Sequence, residues 1–200
     1  MKKLQGKFIA FEGIDKCGKG TQIKLLKNFL SQLGVKSWFT FEPTKDWPFG
    51  QIIHFILKHH VGLPAIWLQY LYYLDRQRHV KAIASHLQQG EMVVCDRYLY
   101  STLAYGYSGG VEMDKILAWH KGILKPDLVI YVDVSAQEAI RRLKAEKGKA
   151  ELFEKEWRLR KVKEGYEKCF ALFPRLFRRI DGKQSKERVF EEVKNVLALT

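Results

Sequence analysis

The stretch Gly13-Ile14-Asp15-Lys16-Cys17-Gly18-Lys19 puts two glycines five positions apart and a lysine directly after the second, with Gly20 and Thr21 following. Glycines let the backbone wrap so that successive N–H groups point inward at an anion. A helix starting at the lysine would add the positive end of its dipole to the full charge of Lys19. That chemistry is phosphate binding, and the spacing is specific for it when a strand precedes and a helix follows. A glycine-rich turn that binds nothing is the alternative. Gly20 stands where a Ser or Thr hydroxyl usually touches Mg²⁺, so a metal here must rely on phosphate oxygens, water and a carboxylate elsewhere. Cys17, beside the same N–H groups, is either a thiol of lowered pKa or a small residue the turn tolerates.

A second group, Asp96-Arg97-Tyr98-Leu99-Tyr100-Ser101-Thr102-Leu103-Ala104-Tyr105, follows the run Met92–Cys95. A carboxylate at a strand's carboxyl end is placed to hold the water shell of a Mg²⁺ that bridges phosphates. If the segment after it is helical, Arg97, Ser101, Ala104 and Tyr105 share one face and present a cation, a hydroxyl and an aromatic ring. Tyr72 and Arg76 are four apart, so a ring that stacks on a base and a guanidinium that donates to an exocyclic oxygen would lie side by side. Arginine donates and never accepts, which suits the O4 of thymine or uracil and disfavours the amino group of cytosine. Leu68, Leu71, Tyr72 and Leu74 also read as a buried helix side, so core packing competes with ligand binding for Tyr72. Asp75 and His79, again four apart, read as a local support pair rather than as a metal or acid–base site.

These residues need a scaffold. Apolar or β-branched runs at Lys7–Glu12, Lys36–Phe41, Met92–Cys95, Leu128–Val134 and Leu176–Ile180 read as strands. Helices are expected at Lys19–Leu33, Phe49–Leu57, Pro64–Gln89, around Ser101–Tyr105, and at Met113–Gly122, Ala136–Glu146, Leu152–Phe173 and Ser185–Leu199. This alternation predicts an α/β fold, a parallel sheet covered by helices on both faces, with ligands at the carboxyl ends of the strands. No repeat or linker divides the 200 residues, which read as one domain, 46% hydrophobic and 28% charged. Lys and Arg (35) exceed Asp and Glu (22), and the net +13 suits polyanions, from phosphorylated metabolites to nucleic acid or acidic lipid. The apolar run Phe8–Phe11 stops at Glu12, too short for a signal-peptide core or a membrane span. Cys17, Cys95 and Cys169 are odd in number and widely spaced, offering neither a disulfide framework nor a zinc pattern. A cytoplasmic chain with reduced thiols is expected.

Phe11-Glu12-Gly13-Ile14-Asp15 and the phrase Asp96-Arg97-Tyr98-x-x-Ser101-x-x-Ala104-Tyr105, in that order, resemble the thymidylate (dTMP) kinase family, and the likeness runs from Lys7 to about Tyr166. The resemblance implies a three-layer P-loop kinase fold with a five-stranded parallel sheet and a short basic lid at about 141–160. It implies ATP and Mg²⁺, dTMP as the second small-molecule substrate, and a homodimer; neither a membrane nor a nucleic-acid partner is expected. Residue by residue, Asp15 matches the carboxylate that accepts the deoxyribose 3′-hydroxyl, a helix N-terminal acid being the plainer reading. Arg97 matches the arginine that grips the acceptor phosphate, and Tyr105 the ring that packs under the sugar and excludes a 2′-hydroxyl. Lys16 stands where some members carry an Arg, keeping the charge without the fork. Tyr72 and Arg76 fall where the family stacks and reads the base. Glu42-Pro43-Thr44 resembles its R-E-P segment near the acceptor phosphate, with Phe41 in place of the arginine and Lys45 the nearest substitute charge. Gly106 stands where many members have Gln, and Gly20 where adenylate kinases also have Gly.

Catalysis is therefore expected from Lys19, Lys16 and Arg97, with Asp96 toward the metal. ATP is expected on Gly13, Ile14, Asp15, Lys16, Cys17, Gly18, Lys19, Gly20 and Thr21. The acceptor is expected on Asp15, Glu42, Pro43, Tyr72, Arg76, Arg97, Ser101 and Tyr105. Ten basic residues between Arg141 and Lys163 occupy the lid position; most read as solvated helix surface, with Arg141 and Arg142 the candidates for donor contacts. Phe153 and Glu154 resemble a lid phrase of the family. Two other readings compete with transfer to a monophosphate. In a kinase for another nucleotide or a deoxynucleoside, a nucleoside acceptor would need Glu12 or Glu42 as base. In a non-enzymatic nucleic-acid or nucleotide-binding module, the charge and the altered positions Phe41, Gly20 and Gly106 would find their use.

Overall fold

The computed structural model describes residues 4–147 and 152–198. Five strands form one sheet: β1 (Phe8–Glu12), β2 (Ser37–Phe41), β3 (Met92–Asp96), β4 (Leu128–Asp133) and β5 (Phe177–Asp181). All pairings are parallel, in the order β2-β3-β1-β4-β5. The helices are α1 (Lys19–Gln32), α2 (Phe49–Lys58), α3 (Ala65–Gln88), α4 (Leu99–Ser108), α5 (Met113–Trp119), α6 (Ala136–Lys147), α7 (Leu152–Leu172) and α8 (Lys186–Ala198). Each expected run forms its element, with ends shifted by one to three residues: α5 stops at Trp119 rather than Gly122, and α4 runs from Leu99 to Ser108 around the expected Ser101–Tyr105. β3 gains Asp96, because its backbone pairs with Phe11 on one side and Phe41 on the other. Among the described residues no helix is long and apolar enough to cross a membrane.

The burial pattern follows from position in the sheet. β1 is central and all five residues of FIAFE are buried, whereas the edge strand β5 buries only Phe177 and Ile180 and exposes Arg178 and Arg179. Apolar residues on both faces suit a strand covered twice; charges on an outer strand discourage pairing with another chain. The order reverses at β1, which neighbours β3 and β4, and a crevice for ligands opens at such a switch point. Register brings Phe11 beside Asp96 and Glu12 beside Tyr131 at the carboxyl edge. The sheet thus delivers the two chemical segments to one place.

Helix α4 is buried along most of its length, and its start is fixed from outside the helix. Glu12, at the end of β1, accepts from the backbone N–H of Tyr98 (2.8 Å) and of Ser101 (3.2 Å), and from Ser101 Oγ (2.6 Å). A carboxylate at a helix N-terminus satisfies orphan N–H groups and favours the dipole. Tyr166 Oη of α7 donates to the same carboxylate at 2.9 Å. On the other side α7 touches α4 backbone to backbone: a Cβ at Gly165 would sit 2.7 Å from Ala104 Cα, so glycine is what permits the approach.

Candidate active site

Between β1 and α1 the chain bends sharply, with Gly13 at φ 145°, Lys16 at 64° and Gly18 at 105°. A Cβ at Gly13 would lie 2.6 Å from Val132 O and 2.8 Å from Cys17 Sγ, so the loop closes on β4 only because that position is bare. Lys19, buried, folds back over the loop and donates to Gly13 O at 3.0 Å and Ile14 O at 3.4 Å. A helix start, a glycine bend and a tethered ammonium converge there as the spacing predicts. Cys17 differs from one expectation: its side chain is buried and its N–H turns to Ile14 O at 3.3 Å. It packs the underside of the bend, the tolerated-residue reading. A Cβ at Gly20 meets nothing within 4 Å.

Two cavities flank this loop. The larger, about 580 Å³, is lined by Asp15 and Lys16 from the loop, Glu42 and Pro43 after β2, Tyr72 and Arg76 from α3, and Arg97, Ser101 and Tyr105 around α4. The smaller, about 180 Å³, is lined by Cys17, Gly18 and Thr21 of the same loop together with Arg142, Gly182, Gln184 and Lys186. The loop is therefore a wall shared by two compartments.

Arg97 is the hub of the larger one, itself at φ 68°. Its Nη2 donates to Asp15 Oδ1 at 2.5 Å and Tyr105 Oη at 3.3 Å; its Nη1 donates to Ser101 Oγ at 3.0 Å and Gly13 O at 3.2 Å. The guanidinium also lies 5.1 Å from the Tyr105 ring centroid. Enclosure in the cleft works to raise the Asp15 pKa, but Arg97 and then Lys19 outweigh it and hold the carboxyl below its ordinary value. Glu12 goes the other way: burial dominates, and the donations from Ser101, Tyr166 and Tyr98 only partly offset it.

Arg76, expected to read a base, is fully buried. Nε and Nη2 donate to Glu42 Oε2 at 2.8 and 2.5 Å, Nη2 to Thr102 Oγ1 at 2.9 Å, and Nη1 to His120 Nε2 at 2.8 Å. It still lines the cavity, so the protein holds it rigidly with one edge toward the ligand space. Burial favours neutral Glu42, yet the Arg76 ion pair and the His79 hydrogen bond bring its pKa below the ordinary value. His120 Nδ1–H donates to Ile116 O at 2.7 Å, leaving Nε2 to accept from Arg76. Burial, then the neighbouring guanidinium, push the His120 pKa down to about 4, so the ring is neutral.

Asp75 and His79 do not pair with each other. Asp75 holds Thr44 through its N–H (2.8 Å) and Oγ1 (2.7 Å), while His79 bonds Glu42 Oε1 (3.0 Å) and Thr40 Oγ1 (2.7 Å). Both support the segment after β2, because that segment crosses the same face of α3. Tyr72 is half-buried and lines the cavity, which favours stacking over core packing. Lys45 does not reach the cavity; its Nζ sits 5.7 Å over the Phe41 ring.

Asp96 Oδ1 is buried and has no hydrogen-bond partner among the described residues. An unpaired carboxylate oxygen at the strand end fits a site that a hydrated cation would complete. No group of three metal-ligating side chains exists among the described residues, so such an ion would be held mainly by phosphate oxygens and water.

From α6, Arg142 reaches Cys17 O (3.0 Å) and Gly182 O (2.7 Å) while its Nε binds Glu138 (2.7 Å). Arg141, one residue away and about 100° around the helix, points outward and forks on Glu138 at 2.7 and 2.8 Å. Arg141 lines neither cavity, which corrects the expectation for it. Lys149 and Glu151 lie outside the described residues, as do the side chains of Lys147, Phe153, Glu154 and Lys155. Sequence reading missed Gln69, Thr102, Arg158 and Tyr166 as wall or support residues, and His120 as the partner of Arg76. Arg158 was visible only as one charge among ten.

Fold and loop together place the chain among the P-loop α/β proteins that bind nucleotides. The thymidylate kinase family model matches residues 11–193, and the chain belongs to that family. It is 36% identical over 197 residues to a probable thymidylate kinase of Pyrococcus abyssi, covering 95% of each chain. It is 34% identical over 202 residues to a thymidylate kinase of Thermoanaerobacter sp., covering 97% of this chain and 98% of that one. With a probable thymidylate kinase of Methanococcus maripaludis it shares 42% identity over 160 residues, 80% of this chain and 75% of that one.

Proposed function

We propose that the protein transfers the γ-phosphoryl group of ATP to the phosphate of dTMP, giving ADP and dTDP. The observation that carries this reading is the shared wall: residues 15–16 face the large cavity and residues 17–18 the small one. A nucleotide on each side meets the other across the glycine bend. ATP occupies the small pocket with its base near Arg142 and Gln184 and its phosphates on the Lys19 loop. The acceptor occupies the large cavity, with its base against Tyr72 and Arg76, its sugar by Asp15 and Tyr105, and its phosphate on Arg97.

The acceptor's second phosphate pKa is about 6, so at neutral pH an ionised oxygen attacks the γ-phosphorus directly and the bond to the β–γ bridging oxygen breaks. No strong base is needed. Glu12 and Glu42, the two carboxylates that a hydroxyl acceptor would need as base, are buried and occupied, by Ser101, Tyr98 and Tyr166 and by Arg76 and His79 respectively. That favours a phosphate over a hydroxyl as nucleophile. The chain's task is alignment of two anions and neutralisation of charge on the moving group, which Lys19, Lys16 and Arg97 perform, with Arg158 at the cavity wall. Mg²⁺, held through Asp96 and the donor phosphates, would supply further neutralisation of the β- and γ-oxygens.

We further propose a basic lid at about 141–160, of which 148–151 lie outside the described residues; Arg142 lines the smaller cavity and Arg158 the larger. Exposed Phe55, Val61 and Trp67 around α2 and α3 support a homodimer. Three free, buried cysteines suit a cytoplasmic setting. ADP release measured with dTMP, dUMP, dCMP, AMP, GMP and thymidine tests the central reading. Selective turnover of dTMP is expected; turnover only with thymidine, or with none of the six, would refute it.

A further inference from the structure

Gln69 of α3 lies three residues before Tyr72 and seven before Arg76, so the three share one helix face. All three line the large cavity. Gln69 is only 3% exposed, yet its Oε1 is a buried atom with no hydrogen-bond partner among the described residues. Buried polar atoms are nearly always paired, and an unpaired carbonyl in a cavity wall marks a place for a ligand's donor. Its neighbourhood is shaped to admit it: a Cβ at Gly106 would stand 3.2 Å from Gln69 Cγ and 2.5 Å from Ile116 Cδ1. The bare position on α4 is what lets the amide lie there.

Arg76, two turns along the same helix face, has five N–H groups. Four are spent inside the protein, on Glu42 twice, Thr102 and His120. Among the described residues, one face of α3 thus leaves one N–H on Arg76 Nη1 and the Gln69 carbonyl for a ligand. The complement is a planar ring whose edge carries an acceptor next to an N–H donor, the C4=O and N3–H of a 2,4-dioxopyrimidine. A cytosine edge carries the reverse, an amino group facing the arginine and a lone pair facing the carbonyl.

We propose that Gln69 Oε1 accepts the N3–H of the acceptor's pyrimidine and so helps to determine base specificity. The assignment rests on the reading that the large cavity takes the acceptor's base, and it adds an acceptor to the donor Arg76 provides. Gly106 is its steric counterpart, since a Cβ there would press on the Gln69 side chain at Cγ, 3.2 Å away, as well as on Ile116 Cδ1.

The test compares dTMP with N3-methyl-dTMP, which has the same ring without the donor, on wild type, Gln69→Leu, Gly106→Ala and the double variant. Wild type should prefer dTMP by about 10⁴-fold in kcat/KM, the order of discrimination seen where a site built to bond one polar group meets an analogue that lacks it. Gln69→Leu should lose about tenfold or more with dTMP, chiefly in KM, and little with the methylated ring, leaving KM for ATP unchanged. Gly106→Ala should move in the same direction, and the double variant should lose no more than Gln69→Leu. Without ligand the Gln69→Leu melting temperature should not fall, because no hydrogen bond to Oε1 is removed. Equal losses on both substrates, or an unchanged KM for dTMP with a lowered melting temperature, would make Gln69 a packing residue and overturn the proposal. Equal use of both substrates by wild type would also overturn it while leaving the dTMP reading intact. Failure of wild type to use dTMP would remove that reading and the proposal together.

Discussion

Arg97 Nη2 stands 2.5 Å from Asp15 Oδ1, joining the turn after β3 to the loop after β1. The bond unites the two segments that carry the chemistry, and neighbouring strands in register make it possible: Phe11 lies beside Asp96. The arginine is mostly covered while the Asp15 side chain is 62% exposed, so the carboxylate retains accessible oxygen surface for a ligand hydroxyl. Both Lys16 and Arg97 adopt left-handed backbone angles, a strain that surrounding structure sustains where function needs a particular aim.

Replacing Asp15 with Asn keeps the shape and removes the charge that fixes Arg97. The expected result is a loss in kcat/KM for dTMP of about ten- to a hundredfold, the size of one charge-assisted hydrogen bond of ~1.5–3 kcal/mol. With 3′-deoxy-dTMP as acceptor the loss should shrink, because the hydroxyl that the carboxylate accepts is already gone. Steady-state kinetics on the two acceptors decide it, and equal losses would place Asp15 outside the sugar site.

Lys19→Ala deletes the ammonium that closes the loop over Gly13 O and Ile14 O. A transition-state donor of this kind is worth about a hundred- to a thousandfold in kcat. Gly13 O keeps the Arg97 Nη1 donor at 3.2 Å and Ile14 O keeps the Cys17 N–H at 3.3 Å, so the far-ultraviolet circular dichroism and the unfolding midpoint should stay near wild type. Turnover close to wild type would contradict the place given to Lys19.

The strands, the helices and the loop were legible because each depends on local pattern: apolar runs for β1 and β4, glycine spacing for residues 13–18, i, i+4 spacing for Tyr72 and Arg76. The state of Arg76 was not. Its partners Glu42, Thr102 and His120 come from three other segments, and no spacing in one sequence reports such a meeting. The same holds for Asp75 and His79, whose helical spacing suggested each other while the crossing segment Thr40–Thr44 took both. Glu12 was a candidate base for a nucleoside acceptor, and only the docking of α7 through Gly165 shows that Tyr166 occupies it. Arg141 and Arg142 show the remaining difficulty, since charge alone does not tell which of two neighbours faces inward.

Gly20→Ser restores a hydroxyl at the position where phosphate-binding loops commonly touch Mg²⁺. Nothing stands within 4 Å of a Cβ there, and Gly to Ser inside a helix is favourable by a few tenths of a kcal/mol. The variant should fold at least as well as wild type. Its half-maximal Mg²⁺ concentration in an ADP-release assay should fall severalfold; an unchanged Mg²⁺ requirement would separate this position from the ion.

His120 makes stability depend on pH in a window set by its depressed pKa of about 4. Unfolded, the ring titrates near 6.5, so between those values the unfolded chain holds a proton that the folded chain does not. Stability from this group is complete above about 6.5 and drains away as pH falls toward 4, by up to about 3 kcal/mol at 1.36 kcal/mol per unit. Protonation also sets a second cation against Arg76 and removes the lone pair that Nη1 uses. Glu42, with its pKa lowered by Arg76 and His79 against the opposing effect of burial, contributes stability that is lost only as pH falls below its ordinary 4.5. Urea unfolding from pH 7 to 4 should therefore show a falling midpoint in wild type and a flatter one in His120→Gln, whose amide oxygen can still accept from Arg76 without titrating. Parallel slopes in the two proteins would assign the acid sensitivity to another group.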